Sequence, residues 1–397
     1  MDYEKLSEIT VKNQEELDAI PVDFKGRIYV EFGDCFEPAI VNKKYGRSVV
    51  AWGNSSVVAW KNSSVVARGN SSVVARENSS VVARENSSVE AWGNSSVEAR
   101  ENSSVEAWEN SSVVAWGNSS VEARGNSSVV AWGNSSVEAW GNSSVVAWKN
   151  SSVVARGNSS VVARENSSVE AWGNSSVEAR ENSSVEAWEN SSVVAWGNSS
   201  VVARENSSVE AWGNSSVEAR ENSSVEARGN SSVTGQGNTQ IVDRLTHGRI
   251  EITGNARVVH MPKTIEEYCS FYNIKHDKKK GRFFKCVHKR DGKYFSDQNV
   301  CFEYVIGKKS KADYLDDDIT EDCGHGIHIA YLEWALNYGR KWKDLAILEV
   351  EAKLDSIILP ADCPGKVRCL EVDVIREVPL EECGLYGKII ARRIGAK

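Results

Sequence analysis

Between Cys323 and His328 the chain reads Cys-Gly-His-Gly-Ile-His, which sets three potential metal ligands, Cys323, His325 and His328, within six residues. Thiolate and imidazole are the ordinary ligands of zinc, but a structural site closes on a second ligand pair at a defined spacing. No such pair follows, and Cys369 is the one further thiol a fold might bring near. The expectation is no bound metal and no cofactor, with Cys323, His325 and His328 as the candidates if a metal is held. Residues 275–293 carry nine Lys and Arg against two Asp, interleaved with Phe283 and Phe284. Basic and aromatic residues together suit a nucleic-acid patch. The blander reading is a solvated hairpin whose charge the acidic run at 313–322 neutralises. The whole chain has a net charge of −8, so nucleic acid is not the expected partner.

These residues need a scaffold. Thr264-Ile-Glu-Glu267 is a capping-box pattern and predicts a helix over 264–273. Asp291-Gly292 between apolar runs predicts a hairpin of strands 283–289 and 293–295. Further strands are expected at 301–306, 345–352, 356–359 and 367–378, and a helix over 328–338 stopped by Gly339. Residues 261–397 therefore read as a small α+β domain. Cys35, Cys269, Cys286, Cys301, Cys323, Cys363, Cys369 and Cys383 all lie outside the repeats described next. In a chain of 397 residues with no secretory leader pattern, reduced thiols are expected rather than a disulfide framework. No apolar run reaches the roughly 18–20 residues that span a bilayer.

From Asn54 to Asn230 the tetrapeptide Asn-Ser-Ser-Val recurs every eight residues, 23 copies without a slip. The octad is [Gly/Glu/Lys]-Asn-Ser-Ser-Val-[Val/Glu]-Ala-[Trp/Arg], its positions numbered one to eight, and degenerate copies extend the phase over 45–260. An α-helix would rotate each copy by about 80° against the last, spreading Val and Ala over every side. A strand places positions three, five and seven (Ser, Val, Ala) inward and four, six and eight outward. Gly or Asn supplies the corner. One octad cannot close a coil and two can. The expected fold is mainly β: a β-solenoid of about 13 two-strand, 16-residue coils, followed by the α+β domain. Asparagines at the corners are placed to share amide hydrogen bonds along the axis. The segment 55–80 recurs at 143–168, an offset of 88, and 87–121 recurs at 167–201, an offset of 80. An odd number of octads swaps the two faces downstream, so the faces should be near-equivalent. Residues 1–44 are expected to form an N-terminal segment, with strands at 27–32 and 39–41 capping the first coil and a short helix at 14–20.

Position eight is restricted to Trp or Arg, eleven of each over the 22 octads ending at Trp60 through Arg228, and position six to Val or Glu. Trp60, Trp92, Trp108, Trp116, Trp132, Trp140, Trp148, Trp172, Trp188, Trp196 and Trp212, with Arg68, Arg100 and Arg180, are the candidate binding ladder. One reading is self-satisfaction, through cation–π stacking and Glu–Arg pairing between rungs. The other is a repetitive surface for a protein, a polysaccharide or a second copy, since exposed Trp with Arg has the composition of interface anchors.

The octads resemble, in architecture, the 16-residue coils of bacterial ice-nucleation proteins. That resemblance implies an ice-binding or ice-nucleating repeat as one alternative, although ice-active faces of the family present flat Thr-x-Thr ranks and Trp and Arg would break such a plane here. Tyr304-Val-Ile-Gly-Lys308, the Cys323–His328 run and Leu348-Glu-Val-Glu-Ala352 resemble an uncharacterised domain attached to short repeats in bacterial and phage proteins, which implies no known activity. His288, Tyr331 and Glu349 are also similar in type and order to the NAD-holding residues of ADP-ribosyltransferases. That likeness implies an alternative, an effector whose rod is a spacer for a C-terminal enzyme. The leading expectation is a structural or surface-presenting rod with a capping or docking domain. Each Asn-Ser-Ser is a glycosylation sequon, so a bacterial or viral chain, cytoplasmic or virion-associated, is expected.

Overall fold

The computed structural model describes residues 6–31, 39–41, 48–319, 321, 323–360 and 365–394. It divides into two compact units, Met1–Val259 and His260–Lys397. Cys35, Cys363 and residues 45–47 of the first degenerate octad lie outside the described residues.

The first unit is a parallel β-solenoid of about 15 turns. Each octad contributes a strand of Ser-Val-Val/Glu-Ala, as in Ser112–Ala115, and successive octads alternate between two sheets. The first sheet has 16 strands, from Glu8–Val11 to Arg257–His260. The second has 14, from Ala39–Val41 to Arg249–Ile252. Pairing is in register with an offset of 16, as Val97↔Val113↔Val129. The Val at position five and the Ala at position seven are buried in every octad, and so is the Ser at position three. The count exceeds the expected 13 because the N-terminal residues add turns. Ile28 and Val30 pair with Val49 and Ala51, and Glu8–Val11 pairs with Arg27–Val30. Strands expected as a cap are thus rungs themselves. The end is closed instead by the helix Gln14–Asp18 and the turn after it, whose Leu17, Ile20 and Phe24 enter the Val/Ala core.

The invariant Ser at position three follows from hydrogen bonding as well as size. A buried hydroxyl needs a partner, and Ser135 Oγ donates to Trp132 O at 2.8 Å, with Gly117 O of the previous rung at 3.2 Å. The corners come in two kinds. Where Glu or Lys holds position one, it takes a positive φ, usually followed by a positive φ at Asn, as at Glu189 (50°) and Asn190 (64°). Where Gly holds it, Gly alone is normally positive, as at Gly141 (71°). These are the sign patterns of type I′ and II′ turns, which differ in the orientation of the central peptide. The hydrogen bonds follow: Asn190 N donates forward to Glu205 O, whereas Asn142 N donates back to Gly125 O. The side chains follow too. Among the described residues, every Asn amide that donates to an Asn one rung back follows a glycine, as in the column Asn174→Asn158→Asn142→Asn126→Asn110 at 3.3–3.4 Å. The expected amide ladder therefore exists in the stretches that glycine permits.

The repeated segments test face equivalence. The octad strand Ser56–Ala59 lies in the second sheet, and its copy Ser144–Ala147 lies in the first, while Ser88–Ala91 and its copy Ser168–Ala171 share the second.

The second unit is built on a mostly antiparallel sheet. Its long strand Lys280–Arg290 pairs with Leu345–Lys353 over nine residues, from Lys280↔Lys353 to His288↔Leu345. The capping-box helix is present as Ile265–Phe271, and Asp291 (49°) and Gly292 (76°) turn the hairpin to Lys293–Phe295. Three expectations change. Residues 327–330 form the strand Ile327–Ala330, so the helix starts later, as Leu332–Gly339. The strand expected at 301–306 shortens to Glu303–Tyr304. That expected at 367–378 breaks at Leu370 into Lys366–Cys369 and Glu371–Val378. The helix Gly384–Ile394 was not expected.

Candidate functional site

Two features of the molecule gather side chains into ordered or enclosed sets: the outer columns of the solenoid and a cavity in the second unit. Because rungs are in register, position eight of each octad stands over position eight 16 residues away. On the first sheet Trp116, Trp132 and Trp148 stack with centroids 5.4 and 5.1 Å apart, and the Arg164 guanidinium lies 4.6 Å over Trp148. On the second sheet Trp92 and Trp108 stack at 4.9 Å, Arg124 covers Trp108 at 4.5 Å, and Arg156 covers Trp140 at 4.8 Å. Trp172–Trp188 and Trp196–Trp212 stack at 4.9 Å, and Trp60 is covered by Arg76 at 5.0 Å. Arg68 lies 6.0 Å from Trp52. Arg100 and Arg180 instead pair along their own strands with Glu98 and Glu178. The ladder is stacked ring on ring or guanidinium on ring, but stacking leaves some of its polar atoms, such as Trp92, Trp188 and Trp212 Nε1, buried without a hydrogen-bond partner.

The two sheets are decorated differently at the same level. The first presents Val114, Val130, Val146 and Val162 at position six beside its three stacked tryptophans. The second presents Glu90, Glu106, Glu122 and Glu138 on successive rungs. Three of those rungs are shared, since Ser104–Ala107 and Ser112–Ala115, and their successors, are consecutive octads.

In the second unit the long strand has Leu345–Lys353 along one edge. Its other edge pairs with Ile327–Ala330 at Phe284↔Ala330, and with the hairpin strand at His288↔Phe295. Between those points, at Lys285, Cys286 and Val287, no strand is paired on that side among the described residues. The sheet opens there into a cavity of about 440 Å³. Its wall is aromatic, with Phe284, Phe302, Tyr304, Trp334 and Tyr338; the last two rings, one helical turn apart, stack at 5.1 Å. Lys285 lies between the fully buried Phe283 and Val287 in the alternation and reaches the cavity, 6.0 Å from the Tyr304 ring. Burial pulls its ammonium down, but the negative charge that Tyr304, Cys286, Tyr338 and Cys369 carry once ionised outweighs it, and the net shift is upward. His328 is pushed down to about 4, first by burial and then by the charges of Lys285, Lys366 and Arg368. Its Nε2 is buried without a hydrogen-bond partner.

Cys323, His325 and His328 all line this cavity, yet they do different things. Cys323 Sγ accepts from Lys366 Nζ at 2.8 Å, and His325 stacks on Tyr314 at 3.8 Å. Cys369 is buried and donates to Ile327 O. Among the described residues no three His, Cys, Asp or Glu side chains converge as a metal would need. His288, Tyr331 and Glu349 are not brought together. Both ring nitrogens of His288 are held, by Asp344 at 2.6 Å and Asp297 at 3.1 Å. Tyr331 stacks on Tyr272 at 4.0 Å. Glu349 lies between Arg376 and Arg282; burial would raise its carboxyl, but those hydrogen bonds hold it below the usual range. His288 and Glu349 are four pairs apart along the two strands, about 13 Å.

The basic run also has partners. Lys280 pairs with Glu351, Lys289 with Glu377 and Arg290 with Asp344. The neutralising carboxylates come from neighbouring strands and their ends, not from the acidic run after Asp313. That run instead supplies the carbonyls of Asp316, Asp318 and Glu321 to the fully buried Arg368. Lys285 was missed; its signal is a lone lysine at an inward position of an apolar strand. No protein-family model, curated protein or solved structure matches the chain.

Proposed function

We propose that the solenoid is a structural, surface-presenting rod that associates side by side with a second copy through the strip of Val114, Val130 and Val146 with Trp116, Trp132 and Trp148. The observation that carries this is the contrast between that strip and the four-glutamate column on the opposite sheet, over three shared rungs. The glutamate column, two of whose members pair with Arg124 and Arg156, keeps the second sheet polar and solvated, whereas a contiguous apolar strip on a solvent face marks an interaction surface. Along the first sheet position eight reads Arg100, Trp116, Trp132, Trp148, Arg164, so a two-fold axis through Trp132 lays the three tryptophans of one copy on those of the other, an isologous contact. At its ends that axis sets Arg100 opposite Arg164, with Glu98, the in-strand partner of Arg100, beside them. The 23 sequons support a bacterial or viral rod, cytoplasmic or virion-associated. An effector role for the second unit finds no support in the separation of His288, Tyr331 and Glu349.

Sedimentation of the full chain tests the rod reading. The triple variant Trp116→Ser, Trp132→Ser, Trp148→Ser should shift the chain to monomer, while Trp92→Ser with Trp108→Ser on the acidic sheet should not. Unchanged association in the first variant would remove the proposal.

A further inference from the structure

We propose that the cavity of the second unit binds a small aromatic acid, its anionic group seated on Lys285 and its ring among the aromatic side chains of the wall. The observation is a lysine that has no ion-pair partner among the described residues. Among the described residues no carboxylate lies within ion-pair distance of Lys285. Two carboxylates line the same cavity, Asp313 and Asp297, neither within ion-pair distance of Lys285, and Asp297 is engaged by His288, Tyr338 and Gln298. A part-buried ammonium that faces a cavity and has no ion pair has donors left for an anionic group entering from solvent. Lys366, which donates to Cys323 Sγ, lines the same cavity. His328 is neutral there and presents an unpartnered Nε2, which suits a hydrogen bond to the acid or to a ring substituent. The volume, about 440 Å³, falls within the span of roughly 300–1,000 Å³ over which small-molecule sites occur. Trp334 and Tyr338, fixed on one helix face, give a planar ring something to stack on.

The site is independent of the rod's association. Calorimetry on the full chain would use two acids, naphthalene-2-carboxylate and adenosine monophosphate, each against its neutral counterpart, 2-naphthamide and adenosine. We expect one acid to bind saturably and its neutral counterpart at least tenfold more weakly; which acid does so distinguishes a carboxylate from a phosphate site. Lys285→Met keeps the length of the side chain without the charge and should abolish that preference, with circular dichroism unchanged. Lys285→Arg should retain part of it, which guards against a variant that merely misfolds. No saturable heat with either acid, or equal affinity for acid and neutral form, overturns the proposal. So does a folded Lys285→Met that binds like the wild type.

Discussion

Position one of the octad biases the choice between two corners, because Gly takes positive φ at no steric cost, although Glu85, Glu101 and Glu221 also turn with a single positive φ. An alanine at Gly141 would hold φ at +71° and bring its Cβ to 3.2 Å from Gly125 O. Gly141→Ala should therefore cost about 1–2 kcal/mol locally. Hydrogen exchange checks it: the amides of Ser144 and Ser160, bonded to Ser127 O and Ser143 O, should lose about tenfold or more in protection. Glu189→Ala is the control, since an L residue already holds φ +50° there, and its neighbours should be unaffected. His328 gives a second prediction at this scale. Its folded value of about 4 lies below the ordinary 6.5, so the unfolded chain takes up the proton first on acidification. The stability that neutral His328 contributes is complete above about pH 6.5 and is lost as pH falls towards 4, at most about 3 kcal/mol. His328→Gln should flatten the pH dependence of urea unfolding of the second unit over that window. A histidine that titrates near 6.5 by NMR in the folded chain would contradict it.

Elements obey the same local logic where the chain leaves the strict octad. Gly235 stands where every earlier octad has Ala, and an added Cβ would meet Ile241 Cδ1 at 2.7 Å. The larger Ile241 of the next rung fills the space that Val and Ala share elsewhere. Gly235→Ala should destabilise the last turns by about 1–3 kcal/mol through overpacking, and adding Ile241→Val should recover most of it. A double-mutant cycle with no coupling would show that the two positions do not compete. The sequence shows the alternation in each octad because one period of two is written 23 times, and the helix Ile265–Phe271 because its box is local. It does not show that Ile327–Ala330 is a strand. His328, Tyr331, Leu332 and Ala335 have helical spacing, and pairing with Lys366–Cys369, far along the chain, overrides it. The helix Gly384–Ile394 escaped because its buried face holds small residues, Gly387 and Ala391, with Ile390, while the larger Leu385 and Ile389 are exposed and blur the period. The cavity was not legible for the same reason as the strand. Its wall joins stretches near 285, 298, 327 and 335 that only the sheet order brings together. The Trp and Arg columns were legible as candidates, but their stacking partners depend on a rung of 16, which the octad alone permits without requiring.

At the scale of the whole molecule, a solenoid contacts only its neighbouring rungs, so its stability is a sum of near-identical local terms and its length is adjustable. Removing residues 77–92 deletes two octads, one strand from each sheet, and leaves every downstream octad on its present sheet. Removing 85–92 deletes one, and moves the Trp116–Trp132–Trp148 strip to the second sheet. If the corners and the Val/Ala spine treat the sheets alike, as the 88-residue repeat spanning both indicates, both shortened chains should fold with β circular dichroism and near wild-type melting. The irregular last rungs do not forbid the swap, because Ser232–Gly235, Gln240–Leu245 and Arg249–Ile252 move together and keep their mutual pairing. Both should also associate as the full chain does, since the strip stays contiguous and only its azimuth changes. A one-octad deletion that unfolds while the two-octad deletion holds would mean that the sheets are inequivalent. A deletion that folds but sediments as a monomer would mean that association needs the strip in its original relation to the rungs before Trp92.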